Sequence, residues 1–220
     1  MLRGMDWIAA YESAAARYRD GELRLGSPDD PDPRQRQLTR LGNVAWAAGL
    51  FLLMAGRGDE SAEWLRRAVA RYGESWVEAP PSSWGRPIAM QKALLVAGDD
   101  ASEAARAALE AGAAEAESPI GRYAGTLALL VLGRDGEAGA LAATLVGRDA
   151  FPLDVAAALA ALAAGAGAAY AEAAESILRS FETRDEFLED AAVADTLLAL
   201  QRLAAARGLA VQLRSSPVLP

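Results

Sequence analysis

Apolar residues recur along this chain at steps of three and four positions, the spacing that places them on one face of an α-helix. Trp7, Tyr11, Ala14 and Tyr18 show this pattern near the start of the chain. Glycine, proline and acidic clusters interrupt it and divide the chain into about ten or eleven predicted helices. The expected ranges are about 5–19, 34–55, a helix after Asp59 that carries Trp64 and Tyr72, 88–97, 101–116, 119–132, 136–147, 153–164, 168–181 and 191–207.

A short phrase is repeated through the middle of the chain. Apolar residues lead to a glycine, which is followed by a turn and then by alanine or leucine at helical spacing; the first three turns are acidic. The glycines are Gly56, Gly98, Gly133 and Gly165, which lie 42, 35 and 32 residues apart. Recurrence near this period is typical of stacked helical hairpins, because one hairpin alone cannot bury its apolar face. The phrase predicts an all-α array of antiparallel helical hairpins.

We expect one all-helical domain, 1–220, with three parts. Residues 1–33 hold the first helix and a linker rich in proline and aspartate, because each proline removes a backbone donor and restrains the preceding residue. Residues 34–181 hold the hairpin repeats. Residues 182–220 hold the last helix and a tail.

The composition excludes several kinds of chemistry. Cysteine and histidine are both absent, so disulfides, thiolate or imidazole metal sites and Ser-His-Asp catalysis are ruled out. The net charge of −8 argues against nucleic-acid and anionic-membrane partners, because both need a basic face. No secretory signal or membrane-length apolar run is visible, so we expect a cytoplasmic protein. No catalytic residue, cofactor or metal ion is predicted.

The repeated phrase resembles the tetratricopeptide-repeat superfamily. The best match is the stretch from Gly98 to Ala104 followed by Ala111, and the next is the stretch from Gly133 to Ala138 followed by Leu145. The likeness covers about residues 40–180, with drifting spacing and without the proline that usually closes each repeat. The resemblance implies a right-handed solenoid whose first helices line a concave face and bind a protein or peptide.

One group of polar and aromatic residues falls on or beside these first helices. Arginine and aromatic residues dominate the energetics of many protein interfaces, which makes the group a candidate partner-binding surface. Such a groove would take an extended peptide, an acidic tail or a small anionic ligand. The alternative is that the aromatic residues pack in the core and the arginines bind carboxylates of the same chain. The group comprises Asn43, Trp46, Trp84, Arg86, Gln91, Arg122 and Tyr123.

The densest acidic stretch is a second candidate. Glu182, Asp185, Glu186 and Glu189 would share one face if the stretch were helical, and that face would suit a basic partner. A solvated charged surface is the simpler interpretation. Catalysis by paired carboxylates is a further alternative. It requires that one of the two carboxylates be buried, so that its pKa is raised.

The sequence favours a non-enzymatic protein-interaction module: an adaptor, a regulator, or an immunity-type inhibitor of a partner protein. A small-molecule binder or enzyme with a pocket of arginine, tyrosine and glutamate is the first alternative. A self-assembling structural protein, as a homodimer, is the second.

Overall fold

The computed structural model describes residues 5–27, 32–147 and 151–220, and the regular secondary structure in these ranges is entirely helical. Ten α-helices follow one another, and a short 3-10 helix, Leu188–Asp190, precedes the last. Their bounds are α1 Trp7–Arg24, α2 Arg34–Met54, α3 Gly58–Val77, α4 Gly85–Ala97, α5 Ser102–Glu110, α6 Pro119–Val131, α7 Asp135–Ala143, α8 Leu153–Ala163, α9 Gly167–Glu182 and α10 Asp195–Ala205. The predicted linker residues 28–31 lie outside the described ranges.

The repeated glycine follows the first helix of each predicted pair, as the phrase indicated. Gly56, Gly98, Gly133 and Gly165 come directly after α2, α4, α6 and α8, each with φ between 65° and 81°. Glycine adopts this left-handed conformation at the lowest cost and is therefore the usual residue past a helix C-terminus. The turns of the array are thus fixed locally.

Four helix boundaries differ by four or more residues from the sequence prediction. Helix α1 continues to Arg24 rather than ending near 19, and α7 ends at Ala143 rather than near 147. Helix α5 ends at Glu110, because the chain turns at Gly112, whose φ is +84°. Helix α10 begins at Asp195 rather than near 191. The residues before it are not helical, because the Ala194 amide donates to the carbonyl of Val218 (2.9 Å) in the tail.

Each helix from α1 to α9 packs against the next one in the chain. In addition, α4 contacts α6 and α6 contacts α8, so these three helices form one side of the protein, which we call the first-helix face. This order is consistent with the predicted array of helices, all of them α.

The last part of the chain folds back onto the first-helix face. Helix α10 contacts α4, α8 and α9, and the 3-10 helix contacts α2. We call residues 188–220 the C-terminal segment. The Lys92 ammonium on α4 donates to Asp195 (2.7 Å) and Thr196 (3.0 Å) at the start of α10. The predicted concave surface is therefore covered, in part, by the chain itself.

The C-terminal segment also joins two clusters of buried side chains. One cluster lies among α1–α4 and includes Ala191, Val193 and Ala199; the other lies among α4–α10 and includes Leu197 and Val218. Successive residues of one segment thus enter different cores, which ties the two halves of the array together.

Close helix packing in the second core depends on glycine. A Cβ atom at Gly125 of α6 would lie 2.9 Å from the carbonyl carbon and oxygen of Ala113, where backbone rather than a movable side chain is in the way.

Among the helices in the described ranges, none combines the length and the apolar character that a membrane span requires.

We expect Gly125→Ala to lower the free energy of unfolding by about 1–3 kcal/mol, because overpacking against backbone forces a helix to shift. The matched control is Gly139→Ala in α7, whose new Cβ would meet nothing closer than 3.6 Å. That variant should gain up to about 1 kcal/mol, since alanine is the better helix former. Denaturant unfolding measures both, and changes of the same sign would contradict the packing account.

We expect Lys92→Met to lower the free energy of unfolding by about 1–3 kcal/mol, because it leaves Asp195 unpaired where its side chain is only 19% exposed. Asp195→Asn should cost less, and the double variant should cost less than the sum of the two. A double-mutant cycle measures this coupling, and strict additivity would show that the pair does not hold α10 to α4.

Candidate functional site

A cavity of about 420 Å³ lies where the C-terminal segment meets the array. Its walls come from α2, α4, α6, α8 and α9 and from the chain between α9 and α10. Apolar and aromatic side chains predominate, with a few charged groups among them. The lining residues are Trp46, Leu50, Lys92, Ile120, Tyr123, Phe151, Pro152, Asp154, Val155, Ile177, Ser180, Phe181, Arg184, Glu186, Phe187, Leu188, Ala191, Val193, Asp195 and Thr196.

The ion pair between Lys92 and Asp195 forms the floor of this cavity. The two side chains are 13% and 19% exposed, and the Lys92 ammonium also lies 5.4 Å from the centroid of the Trp46 ring. The second carboxylate oxygen of Asp195 accepts from the backbone amide of Thr196 (2.7 Å) at the start of α10. Both charges are therefore neutralised within the protein, which is the condition for keeping them away from water.

Tyr123 places a phenol against the same floor. Burial raises the pKa of its hydroxyl, and the negative charge of Asp195 raises it further. A hydrogen bond with the Thr196 side chain acts in the opposite direction but does not outweigh these two effects, so the hydroxyl stays protonated at neutral pH beside Thr196. Its ring lies 5.3 Å from that of Phe151, centroid to centroid, so the two rings form one continuous aromatic wall.

The mouth of the cavity is formed by the chain after α9. The Arg184 guanidinium lies 4.1 Å from the centroid of the Phe181 ring and 6.0 Å from that of Phe187. Large apolar side chains are exposed at this rim: Ile120 is 47% exposed and Leu188 is 55% exposed. Charged and apolar groups thus alternate at the entrance.

The backbone beside the mouth is strained. Glu189 and Asp190 have φ values of +53° and +59°, a left-handed conformation that residues with a side chain rarely adopt. The Glu189 carboxylate accepts from Arg17 of α1 (2.6 Å), and this ion pair attaches the strained turn to the N-terminal helix. The turn carries Leu188 and Ala191 into the cavity wall.

Three of the residues that the sequence singled out line this cavity: Trp46, Tyr123 and Glu186. Trp46 and Tyr123 come from different helices and face the same floor. Their role in binding stays a prediction, but the fold does bring them together.

The other candidates of the first group lie elsewhere and bind within the protein. Asn43 accepts from the Tyr72 hydroxyl (2.8 Å), and Trp84 is buried beside Gly121. Gln91 is fully buried between α4 and α6, where it donates to the Pro87 carbonyl (3.1 Å).

The two arginines of that group are half-buried and also bind groups of this chain. Arg86 donates to Ser75 (2.7 Å) and to Gln35, and burial lowers the pKa of its guanidinium. Arg122 donates to the carbonyl of Ala116 (2.9 Å). For these side chains the contacts favour the structural alternative over a shared binding surface.

The acidic stretch does not form a single helical face. Helix α9 ends at Glu182, so the stretch is not a continuous helix and the condition under which Glu182, Asp185, Glu186 and Glu189 would share one face is not met. Glu182 accepts from Arg214 (2.7 Å) and Ser216 (2.7 Å), which hold the tail against α9. Glu189 binds Arg17. Asp185 and Glu186 remain exposed.

Sequence reasoning missed Lys92, Arg184 and Asp195 as site residues. Lys92 is the only lysine in the chain, which was a usable signal. Asp195 carried no such signal, because its partner lies about a hundred positions earlier and no local pattern indicates that α10 folds back.

Comparison with protein-family models, with curated proteins and with solved structures found no match.

The contacts of Glu182 make tail docking dependent on pH. Hydrogen bonds from Arg214 and then from Ser216 lower the pKa of this carboxyl below its usual range. Its contribution to stability is therefore present above the unfolded-state pKa of about 4.3 and is lost as the pH falls through the lower folded-state pKa. We expect Glu182→Gln to destabilise the protein at pH 7 and to differ progressively less from wild type below about pH 4.

Denaturant unfolding between pH 3 and pH 7 measures this difference. Glu172→Gln on the same helix is the control, since Glu172 is exposed and forms no ion pair with a described residue. A Glu182→Gln deficit that is the same at both ends of the pH range would contradict the assignment.

Proposed function

We propose that the protein is a non-enzymatic binding module and that its site is the cavity between the array and the C-terminal segment. The observation that carries the proposal is the combination of about 420 Å³ of space, five aromatic side chains in the wall and one internally neutralised ion pair on the floor. Pockets for small organic molecules are typically 300–1,000 Å³, mostly apolar, and supplied with a few convergent polar groups.

The walls indicate the kind of ligand. Trp46, Tyr123 and Phe151 offer flat apolar surfaces, which suit an aromatic or alicyclic body. On the floor, the Tyr123 hydroxyl and the Lys92 ammonium are hydrogen-bond donors. An acidic group at the floor would lie beside the Asp195 carboxylate, so a neutral acceptor such as a hydroxyl or carbonyl fits there better.

This proposal replaces an extended peptide as the ligand of the first-helix face. Ala191, Val193 and Asp195 of the C-terminal segment already lie across that face at Trp46 and Tyr123. A peptide would have to displace a segment that is held by Lys92, by the Ala194–Val218 hydrogen bond and by the pairing of Arg214 with Glu182.

A protein-interaction module, whether adaptor, regulator or immunity-type inhibitor, is the second candidate. It is supported by the rim, where Ile120 and Leu188 are 47% and 55% exposed and Glu186 is an exposed acid. Two further exposed residues adjoin lining residues in the sequence: Leu153, which is 63% exposed, and Asp185. Apolar side chains surrounded by charge are typical of partner surfaces. A partner with a basic edge would bind this rim, and a second copy of the chain is the alternative occupant.

The kinship with tetratricopeptide repeats belongs to this proposal as well. The glycine turns and the packing of consecutive helices support a degenerate right-handed hairpin array. A cytoplasmic location stays a prediction.

Calorimetric titration with the neutral aromatic compounds 2-naphthol and indole tests the binding proposal. We expect one saturable site and a rise in Tm, because a ligand that binds only the folded state stabilises it. Ser180→Trp, at an exposed position in the cavity wall, should weaken binding at least tenfold. Ala168→Trp, exposed on the same helix and outside the wall, is the matched control.

Three results would contradict the proposal: neither compound binds, both tryptophan variants behave alike, or binding is unaffected by Ser180→Trp. The double variant Leu153→Ser/Asp185→Asn separates the second candidate, because both residues are exposed and neither lines the cavity. It should weaken capture of a partner while leaving the affinity for 2-naphthol unchanged.

A further inference from the structure

We propose that the ligand of this cavity is a monocarboxylic acid, whose carboxylate binds Arg184 at the mouth while its apolar body lies between the aromatic walls. This inference rests on the proposed function and specifies its substrate class.

Arg184 is arranged to receive a planar anion. The central carbon of its guanidinium lies 4.1 Å from the centroid of the Phe181 ring, and the side chain also lines the cavity, so a cation–π contact holds the group at the mouth. No carboxylate of a described residue lies within ion-pairing distance of it. A guanidinium that forms no ion pair within its own chain is able to bind an incoming carboxylate through two parallel hydrogen bonds.

The arginine of the tail shows the contrast. Arg214 binds Glu182 through two nitrogens and also approaches Glu175 (3.5 Å), so its donors serve the fold. Arg184, two residues after Glu182, is left facing the cavity instead. Glu182 of the acidic stretch therefore pairs with Arg214 of the tail, whereas no carboxylate of the stretch forms an ion pair with Arg184 at the mouth.

The other cation of the wall does not compete for the acid. Lys92 already donates to Asp195 and Thr196, and its ammonium lies over the Trp46 ring. A carboxylate at this point would meet the charge of Asp195. The floor therefore favours a neutral group and the mouth an anionic one, which gives the ligand a direction in the cavity.

The remaining carboxylates limit the charge that the site accepts. Asp154 accepts from the amide of Val155 (2.8 Å) at the start of α8, where the helix dipole offsets its charge. Glu186 is exposed at the mouth. Together with Asp195 they repel a dianion such as a phosphate monoester more than a single carboxylate. A monoanion is the charge that Arg184 balances.

A series of ligands with one ring system tests the assignment by calorimetry. The compounds are 2-naphthoate, 2-naphthol and 2-naphthylmethylammonium, measured against the full-length protein at pH 7. We expect 2-naphthoate to bind at least tenfold more tightly than 2-naphthol, and the ammonium compound to bind most weakly. The affinity of 2-naphthoate should fall with added NaCl, because salt screens its exposed ion pair with Arg184. The affinity of 2-naphthol should change little.

Arg184→Gln should lower the affinity for 2-naphthoate at least tenfold more than that for 2-naphthol, so that the two compounds bind about equally. The control is Arg179→Gln, an exposed arginine on α9 that does not line the cavity. It changes the net charge equally and should leave the preference for the acid intact.

The outcomes separate the two proposals. If 2-naphthol binds and 2-naphthoate has no advantage, or if Arg184→Gln preserves the advantage, the carboxylate assignment is wrong and the cavity remains a binding site. Preference for the ammonium compound would also overturn it. If none of the three compounds binds, the proposed function itself fails.

Discussion

The ion pair between Lys92 and Asp195 is the interaction on which the arrangement of this protein depends. It joins the middle of α4 to the first residue of α10, between helices that are far apart in the sequence. A pair this little exposed contributes only when both charges find further partners, since desolvation offsets much of the Coulomb attraction. Thr196 supplies an acceptor to Lys92 and a backbone donor to Asp195, and the ring of Trp46 lies beside the ammonium. These contacts fix where the C-terminal segment begins its path across the array.

The cavity follows from what that segment carries. Residues 191–194 are three alanines and a valine, and Ala191 and Val193 line the cavity together with aromatic side chains from α2, α6 and α9 and from two connecting segments. Small side chains opposite large rings leave space, whereas leucines in the same places would fill it. The strained turn at Glu189 and Asp190 lifts the chain over the opening before it returns to the core. The C-terminal segment thereby covers part of a surface that would otherwise be a groove for another molecule and supplies one wall of the cavity.

Local patterns in the sequence account for most of the helices and few of the site residues. Periodicity and the glycine at each turn predicted the order and packing of α1–α9, because both depend on neighbours within about one turn. Trp46 and Tyr123 were singled out by residue type and do face the cavity. Arg86, Gln91 and Arg122 were singled out in the same way, yet their donors bind groups inside the protein. Sequence alone does not reveal whether a polar side chain on an inner helix finds a partner in the same chain. Lys92 finds its partners, Asp195 and Thr196, only because α10 folds back onto α4.

A ligand in this position would touch both the array and the C-terminal segment. Trp46 and Tyr123 belong to the array, Arg184 belongs to the connection after α9, and Leu188 belongs to the C-terminal segment. A molecule that binds only when the C-terminal segment is docked on the array adds its binding free energy to that docking. The exposed rim, which the second candidate function assigns to a protein partner, is built from the same connection. The two candidate functions are therefore linked physically. An occupied cavity adds contacts that hold Leu188 and Glu186 in the arrangement that a partner would meet, beyond the ion pairs of Arg17 and Lys92 that hold the segment in its absence.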